Sequence, residues 1–469
     1  MKGSEEVEAC GTTRKAVAGD SGRNLRRAAL GASCSPSGKD NSVAQDQHLI
    51  EELIERENLN RAWKQVRRNR GSPGVDGRDM EQSKAYLKEH WERIESHLLA
   101  GDYRPKPVKR VEIPKPGGGT RRLGVPTILD RFIQQAALQV LTPIFEPHFS
   151  EHSYGFRPGR SAQQAVKAAK RYQQSGKGCV VDLDLKAFFD EVNHDLLMAR
   201  VRRQVKDKRM LKLIRAFLNS GVLINGIPEK TDKGTPQGGP LSPLLSNIML
   251  NDLDHELEKR GHCFCRYADD CNIYVSTERS GERVLESIMD YVEGKLKLKV
   301  NRAKSAVDRP WRRTFLGYSF TAGKEPKVRV PKKSVQKIKS KIKQRCRKGK
   351  GQNLKRFIVE TLNPVLRGWT QYFRLSETKT FARDLDEWVR RRLRNILWRQ
   401  WRKPKTRERK MRELGIHSHR AWRSSVNGHG PWFNSGASHL NQAVPKSLLK
   451  DWGLVSIFDY LMKLRTTSD

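Results

Sequence analysis

The tetrapeptide Tyr267-Ala268-Asp269-Asp270 constrains this chain more than any other feature, because it places two adjacent carboxylates at the tip of what reads as a β-hairpin. On its N-terminal side Cys263, Cys265 and Tyr267 alternate with His262, Phe264 and Arg266, and beyond it Asn272-Ile273-Tyr274-Val275 resumes a strand-like pattern. The Ala-Asp-Asp step is therefore the predicted turn. Neither flank contains Pro, so two β-prone arms supply the rigid support that a metal site requires. Alone, the tetrapeptide also describes a solvated hairpin tip.

Its partner lies upstream, in Cys179-Val180-Val181-Asp182-Leu183-Asp184-Leu185-Lys186-Ala187-Phe188-Phe189-Asp190, which reads as a buried strand carrying acids. Carboxylates in so apolar a strand cost several kcal/mol to bury unless a cation or hydrogen bonds compensate. Asp184, Asp269 and Asp270 are the expected catalytic acids and ligands of divalent metal, with Asp270 the one that could be supportive only. Two Mg²⁺ ions roughly 4 Å apart on oxygen ligands activate a primer 3′-hydroxyl and stabilise the leaving pyrophosphate during in-line nucleotidyl transfer. Asp182 shares the strand face of Asp184, and the expectation for it is a hydrogen bond to nearby backbone.

Asp-Leu-Lys-Ala-Phe-Phe-Asp followed by Tyr-Ala-Asp-Asp resembles the palm of a reverse transcriptase, specifically that of a bacterial group II intron reverse transcriptase and maturase. Further blocks extend the resemblance in chain order from about Leu49 to Arg402. Gly74-Val75-Asp76-Gly77 is similar to the N-terminal extension loop of the non-LTR-type enzymes. Ile113-Pro114-Lys115-Pro116 and Arg121-Arg122-Leu123-Gly124-Val125-Pro126-Thr127 resemble their fingers hairpin, and Ser153 to Ser161 their template-side block. Thr235-Pro236-Gln237-Gly238-Gly239-Pro240 resembles the block beneath the nascent pair, Asn301 to Ser305 the last palm block, and Phe315-Leu316-Gly317-Tyr318 the primer grip. The resemblance implies an α+β right-hand polymerase: fingers and palm over 46–323, an α-helical thumb or maturase (X) domain over 324–402, and a short basic region over 403–469.

The same blocks have a physical reading. Lys115 and Arg121 flank a Gly117-Gly118-Gly119 turn whose backbone can approach phosphate closely, which suits the triphosphate of an incoming nucleotide. Gln237 sits in a segment without bulky side chains, where a base pair must pass, and Leu241 to Leu257 reads as a supporting helix. Phe189 resembles the steric gate of reverse transcriptases and implies preference for dNTPs, with Phe188 facing the core. Lys304 is a candidate general acid for pyrophosphate departure.

Composition points to a polyanion partner, since 469 residues carry a formal charge of +40. Lys324 to Arg412 alone holds 31 Lys and Arg against 7 Asp and Glu, a net +24. If that surface neutralised six phosphates, affinity would fall roughly a thousandfold between 50 and 200 mM salt. The segment is patterned for three helices: Val335, Ile338 and Ile342; then Leu354 through Leu362, Leu366, Trp369 and Phe373; then Leu385, Trp388, Val389, Leu393 and Ile396. Asn363-Pro364 is the expected start of a helix, and Trp369 and Phe373 are expected in the core. Arg157, Arg160, Lys339, Lys343 and Arg367 are the cations assigned to RNA.

The first 45 residues are polar and Gly/Ser/Ala-rich and are expected to be disordered, with no signal peptide; no later stretch reaches transmembrane length. Amphipathic helix begins at Leu49. Seven cysteines without a Cys-x-x-Cys pair imply a reducing cytoplasm and no zinc site. The 403–469 region is expected to contact DNA. No cysteine follows Cys346, so a His-Asn-His endonuclease with paired cysteines is not expected, and His417 and His419 are read as exposed. The resemblance implies a bacterial, nucleoid-associated enzyme whose partners are its parent group II intron RNA, an RNA template with DNA primer or target DNA, and dNTPs, with no membrane. Two alternatives fit the same residues: a domesticated relative in DNA repair or phage defence, and an RNA-binding maturase without polymerase activity.

Overall fold

The computed structural model describes residues 47–114, 120–224, 227–229, 233–235 and 238–466. The expected N-terminal disorder falls outside them, as do Lys115, Gln237 and the Arg121 side chain. The first amphipathic run, read as one helix, is two: α1 (Leu49–Ile54) and α2 (Arg56–Arg68) are separated at Glu55, whose ψ of 134° leaves the helical region. Then α3 (Met80–Ala100) begins at a capping box between Asp79 and Gln82 and stops at Gly101, φ 69°.

The chain continues through β1 (Val108–Pro114), β2 (Thr120–Val125), α4 (Ile128–Phe145), α5 (Ala162–Gln174), β3 (Cys179–Leu183), α6 (Phe188–Glu191), α7 (His194–Gln204), α8 (Lys208–Leu218), β4 (Val222–Ile224) and β5 (Ile227–Glu229). Next come α9 (Ser242–Lys259), β6 (Cys263–Tyr267), β7 (Asp270–Val275), α10 (Glu278–Gly294), β8 (Ala306–Asp308), β9 (Ser319–Phe320) and β10 (Val328–Arg329). Two sheets matter for the site. One has the order β2-β1-β4-β5, with β1 and β4 parallel. The other is antiparallel throughout, in the order β6-β7-β3-β8. Its register pairs Leu183 with Cys271 and Tyr267 with Asp270, so Asp184, one residue past the end of β3, stands beside the hairpin tip.

Strand alternation explains the two faces of that sheet. Val181, Leu183, Phe264, Cys271 and Ile273 enter the main core with α9 and α10. Val180, Cys265 and Tyr274 face Ala165, Val166 and Ala168 of α5 and join Phe315, Tyr318 and Phe373. Asp182 shares its parity with Val180 and so leaves the sheet on the second face.

The basic segment folds as α11 (Lys332–Lys348), α12 (Leu354–Phe357), a π-helical turn over Ile358–Leu362, α13 (Asn363–Tyr372) and α14 (Thr380–Gln400). Asn363-Pro364 opens α13 as expected, with Pro364 in its first turn, but no break precedes it. The chain is helical on both sides, and the wider π turn lies where the proline ring would clash with the carbonyl four residues back. Six short helices follow: α15 (Pro404–Glu413), α16 (Ser418–Ser425), α17 (Pro431–Asn434), α18 (Ser438–Ala443), α19 (Lys446–Asp451) and α20 (Ile457–Thr466). Residue 402 is no break in packing, since Met411, Leu440, Leu449 and Ile457 share one core with Ile338, Leu366, Leu385 and Trp398. Among the described residues no helix is long and apolar enough to cross a membrane.

Candidate active site

The hairpin turn is tighter than the sequence suggested: Ala268 and Asp269 alone make it, and Asp270 already opens β7. Ala268 takes φ 57°, the left-handed conformation a two-residue hairpin turn demands. Arg266 holds it there. Its guanidinium, fully buried, donates to Asp254 Oδ1 and Oδ2 (2.7 and 2.5 Å), Asn247 Oδ1 (3.0 Å), Ser153 Oγ (2.8 Å) and the Ala268 carbonyl (2.9 Å). Asn247 Nδ2 in turn donates to the Gly155 carbonyl at 2.8 Å. Gly155 must be glycine, because a Cβ there would lie 2.3 Å from the Ala268 amide nitrogen. Helix α9, the 153–155 loop and the hairpin thus form one rigid unit.

Asp184 is fixed from the opposite side. Its amide donates to Ser305 Oγ (3.0 Å) and its carbonyl accepts from the Asn301 amide (2.8 Å); its carboxylate accepts from Asn301 Nδ2 (3.0 Å) and lies 3.5 Å from Lys304 Nζ. Asp182 does not bond nearby backbone as expected. It pairs with Arg313 at 2.9 Å, and burial raises its carboxyl above the usual range despite that cation. Burial first, then the charges of Asp269, Asp182 and Asp184, push Asp270 up to about 6.

The three acids line one cleft of about 1170 Å³, together with Asn301, Lys304 and Phe189. Ala187, at φ 49°, turns the chain into α6, so that Phe188 is buried and Phe189 half-buried on the cleft wall. The Phe189 carbonyl accepts from the Thr235 amide at 2.6 Å, which ties α6 to the segment that leads to Gly238. Gly238, at φ 136°, packs so closely on the fingers hairpin that a Cβ would meet the Gly124 carbonyl oxygen at 2.6 Å. The described fingers cations on the cleft are Arg122 and Arg131.

Several expected contacts lie elsewhere. Arg157, assigned to RNA, is buried: it pairs with Glu146 at 2.9 Å and donates to the carbonyls of Ser150 and Ser153, so it braces its own loop. Arg160 is partly exposed and pairs with Glu151 at 2.7 Å. Lys343 and Arg367 are exposed, and Lys339 lies 5.7 Å from the ring centre of Trp388. In the segment read as primer grip, Phe315 and Tyr318 are core side chains, which leaves the turn residues Leu316 (φ 49°) and Gly317 (φ 78°) at its tip. That tip is docked on α13, with Tyr372 Oη donating to the Leu316 carbonyl at 2.8 Å and Tyr318 Oη to the Tyr372 carbonyl. His417 and His419 are exposed. Sequence reading gave no site role to Asn301, Arg266 or Asp254. One signal for Asp254 was present, an acid on the apolar stripe of α9 among Leu250, Leu253 and Leu257.

The carboxylates suit a hard divalent cation: the donors are all oxygen, they share one cleft, and their mutual repulsion at Asp270 would be relieved by positive charge. The set is open, not caged. Among the described residues no three acidic, His or Cys side chains are closed up enough to hold an ion as they stand, and Asp184 is turned to Asn301 and Lys304.

Residues 113–320 match the family described as reverse transcriptase (RNA-dependent DNA polymerase), which makes the fingers and palm those of a reverse transcriptase, a class that uses divalent metal. Residues 335–415 match the group II intron maturase-specific domain. Protein YkfC of Escherichia coli (strain K12) is 35% identical over 275 residues, covering 50% of this chain and 72% of that protein. The group II intron-encoded protein LtrA of Lactococcus lactis is 42% identical over 170 residues, 36% of this chain and 28% of that one. An uncharacterised 91 kDa protein in a cob intron of Schizosaccharomyces pombe is 37% identical over 169 residues, 36% of this chain and 21% of that protein. The chain belongs to the group II intron reverse transcriptase and maturase family.

Proposed function

We propose that this chain copies RNA into DNA from dNTPs and binds a group II intron RNA, assisting its splicing and its reverse transcription during insertion into DNA. The observation that carries the reading is the single cleft where Asp184, Asp269 and Asp270 converge, with Phe189 on its wall. Asp184 and Asp269 would hold two Mg²⁺ ions, with Asp270 beside them. When bound, the metal supplies Lewis acidity that activates a primer 3′-hydroxyl and offsets charge on departing pyrophosphate. The chain's own groups do the rest. Asn301 holds the Asp184 carboxylate in place, the Arg266 network fixes Asp269, and Phe189 stands where a ribose 2′-hydroxyl would be refused. Lys304, whose Nζ lies 3.5 Å from the Asp184 carboxylate, would approach a phosphate or give up a proton. The exposed cations of α11 and α13 would lie on intron RNA.

The test is primer extension on an RNA template with Mg²⁺, comparing dNTPs with ribonucleotides. Extension by dNTPs alone is expected. Ribonucleotide use would overturn the role of Phe189, and no extension would leave only the RNA-binding role.

A further inference from the structure

Phe156 is a large apolar side chain left 53% exposed on the wall of the catalytic cleft. Its backbone lies at φ 60°, a conformation that residues with a Cβ adopt only under constraint. The constraint comes from both neighbours. Gly155 is pressed against the Ala268 amide and its carbonyl is held by Asn247 Nδ2 at 2.8 Å. On the other side, Arg157 is buried and tied to Glu146 at 2.9 Å. With Gly155 and Arg157 both drawn inward, the ring between them is thrown into the cleft. There it lies 6.3 Å from the ring of Tyr267 in the catalytic hairpin, tilted by 47°. The fold gains little from such a side chain, yet strains the backbone to present it.

Given a polymerase cleft, on which this step rests, we propose that Phe156 is a substrate-contacting residue whose ring stacks on a nucleobase at the reacting end of the primer–template. The chemistry fits one occupant. Arg122 and Lys304 on the same cleft offer charge suited to phosphate, whereas a flat apolar ring suits the π-face that every base has, and a polymerase must accept all four bases without preference.

Binding of a labelled RNA–DNA primer–template, measured by fluorescence anisotropy without nucleotides, separates the stacking role from the polymerase reading. Phe156→Ala is expected to weaken that binding roughly tenfold and to lower kcat/KM for extension, with Tm unchanged. Phe156→Tyr should bind within about twofold of wild type, and Phe156→Gly should lose binding without losing Tm, because glycine relieves the left-handed strain. Wild-type binding by Phe156→Ala, or a fall in Tm alongside the loss, would overturn the proposal. If the wild type binds through Phe156 yet extends no primer, the stacking role stands and the polymerase reading falls.

Discussion

In the palm, the buried guanidinium of Arg266 makes five hydrogen bonds, whereas in the helical region those of Arg391 and Arg392 lie 4.2 and 4.3 Å from the ring centre of Trp432, with no protein partner for Nε. The first arrangement fixes geometry: every donor has an acceptor, and the acceptors belong to three separate segments that meet at the acidic hairpin. The second packs two half-buried guanidiniums on one indole, with Arg391 Nη2 donating to the Trp432 carbonyl at 3.1 Å. Polymerisation needs carboxylates held to a fraction of an ångström, whereas gripping RNA needs charge density more than fine placement. The joint between the regions is apolar as well as polar: Phe373 shares a core with Phe315, Tyr318 and Tyr274, flanked by Lys170 with Glu377 at 2.9 Å and the Tyr372 contacts with the Phe315–Tyr318 turn.

The largest effect should come from breaking the palm side of this contrast. Arg266→Ala leaves Asp254 buried without its cation, and urea unfolding should show a loss of about 3–5 kcal/mol with loss of DNA synthesis. Arg391→Ala should change stability by no more than about 1 kcal/mol. Equal losses would erase the distinction.

A second buried acid tests whether polar burial in the fingers carries a similar penalty. Asp130, at the start of α4, accepts from Tyr103 Oη (2.9 Å) and Thr127 Oγ1 (2.6 Å), yet burial raises its carboxyl to about 6. A raised folded value means that the group favours the folded state below its unfolded value near 4 and loses that contribution as pH climbs through 6. Asp130→Asn, which cannot ionise, should therefore gain on wild type by roughly 2–3 kcal/mol in going from pH 4 to pH 7. Parallel pH profiles for the two proteins would contradict this.

How much of this was legible in the sequence follows from which interactions are local. Strand alternation and the acids around 184 and 269 announced the palm sheet and the acidic tip of its hairpin, and the helical stripes after residue 332 announced α11 to α14. The inward turn of Arg157 was not legible, because nothing in Gly-Phe-Arg-Pro says that Glu146 and two carbonyls wait for it. The Arg266–Asp254 pair joins a strand to a helix, and only the fold sets them 2.5 Å apart. Asn363-Pro364 was legible as the start of a helix, because proline suits a first turn, but not the π turn that joins it to the helix before. The six C-terminal helices are too short to declare the core they share with α11 to α14.

A smaller effect sharpens the helical side. Lys339→Glu with Lys343→Glu should lower affinity for intron RNA about tenfold at moderate salt, and should flatten the salt dependence by about 0.7–0.9 for each phosphate that is no longer neutralised. Extension of a short saturating primer–template should hardly change. An unaltered salt slope would remove α11 from the RNA surface.

The most direct test of the division of labour is Asp269→Ala, assayed in parallel for primer extension with Mg²⁺ and dNTPs and for binding to intron RNA. Extension should fall by more than about a thousandfold while the RNA dissociation constant moves less than about threefold, since the net +24 of Lys324 to Arg412 is untouched. Loss of RNA binding together with synthesis, or synthesis that survives, would contradict the account.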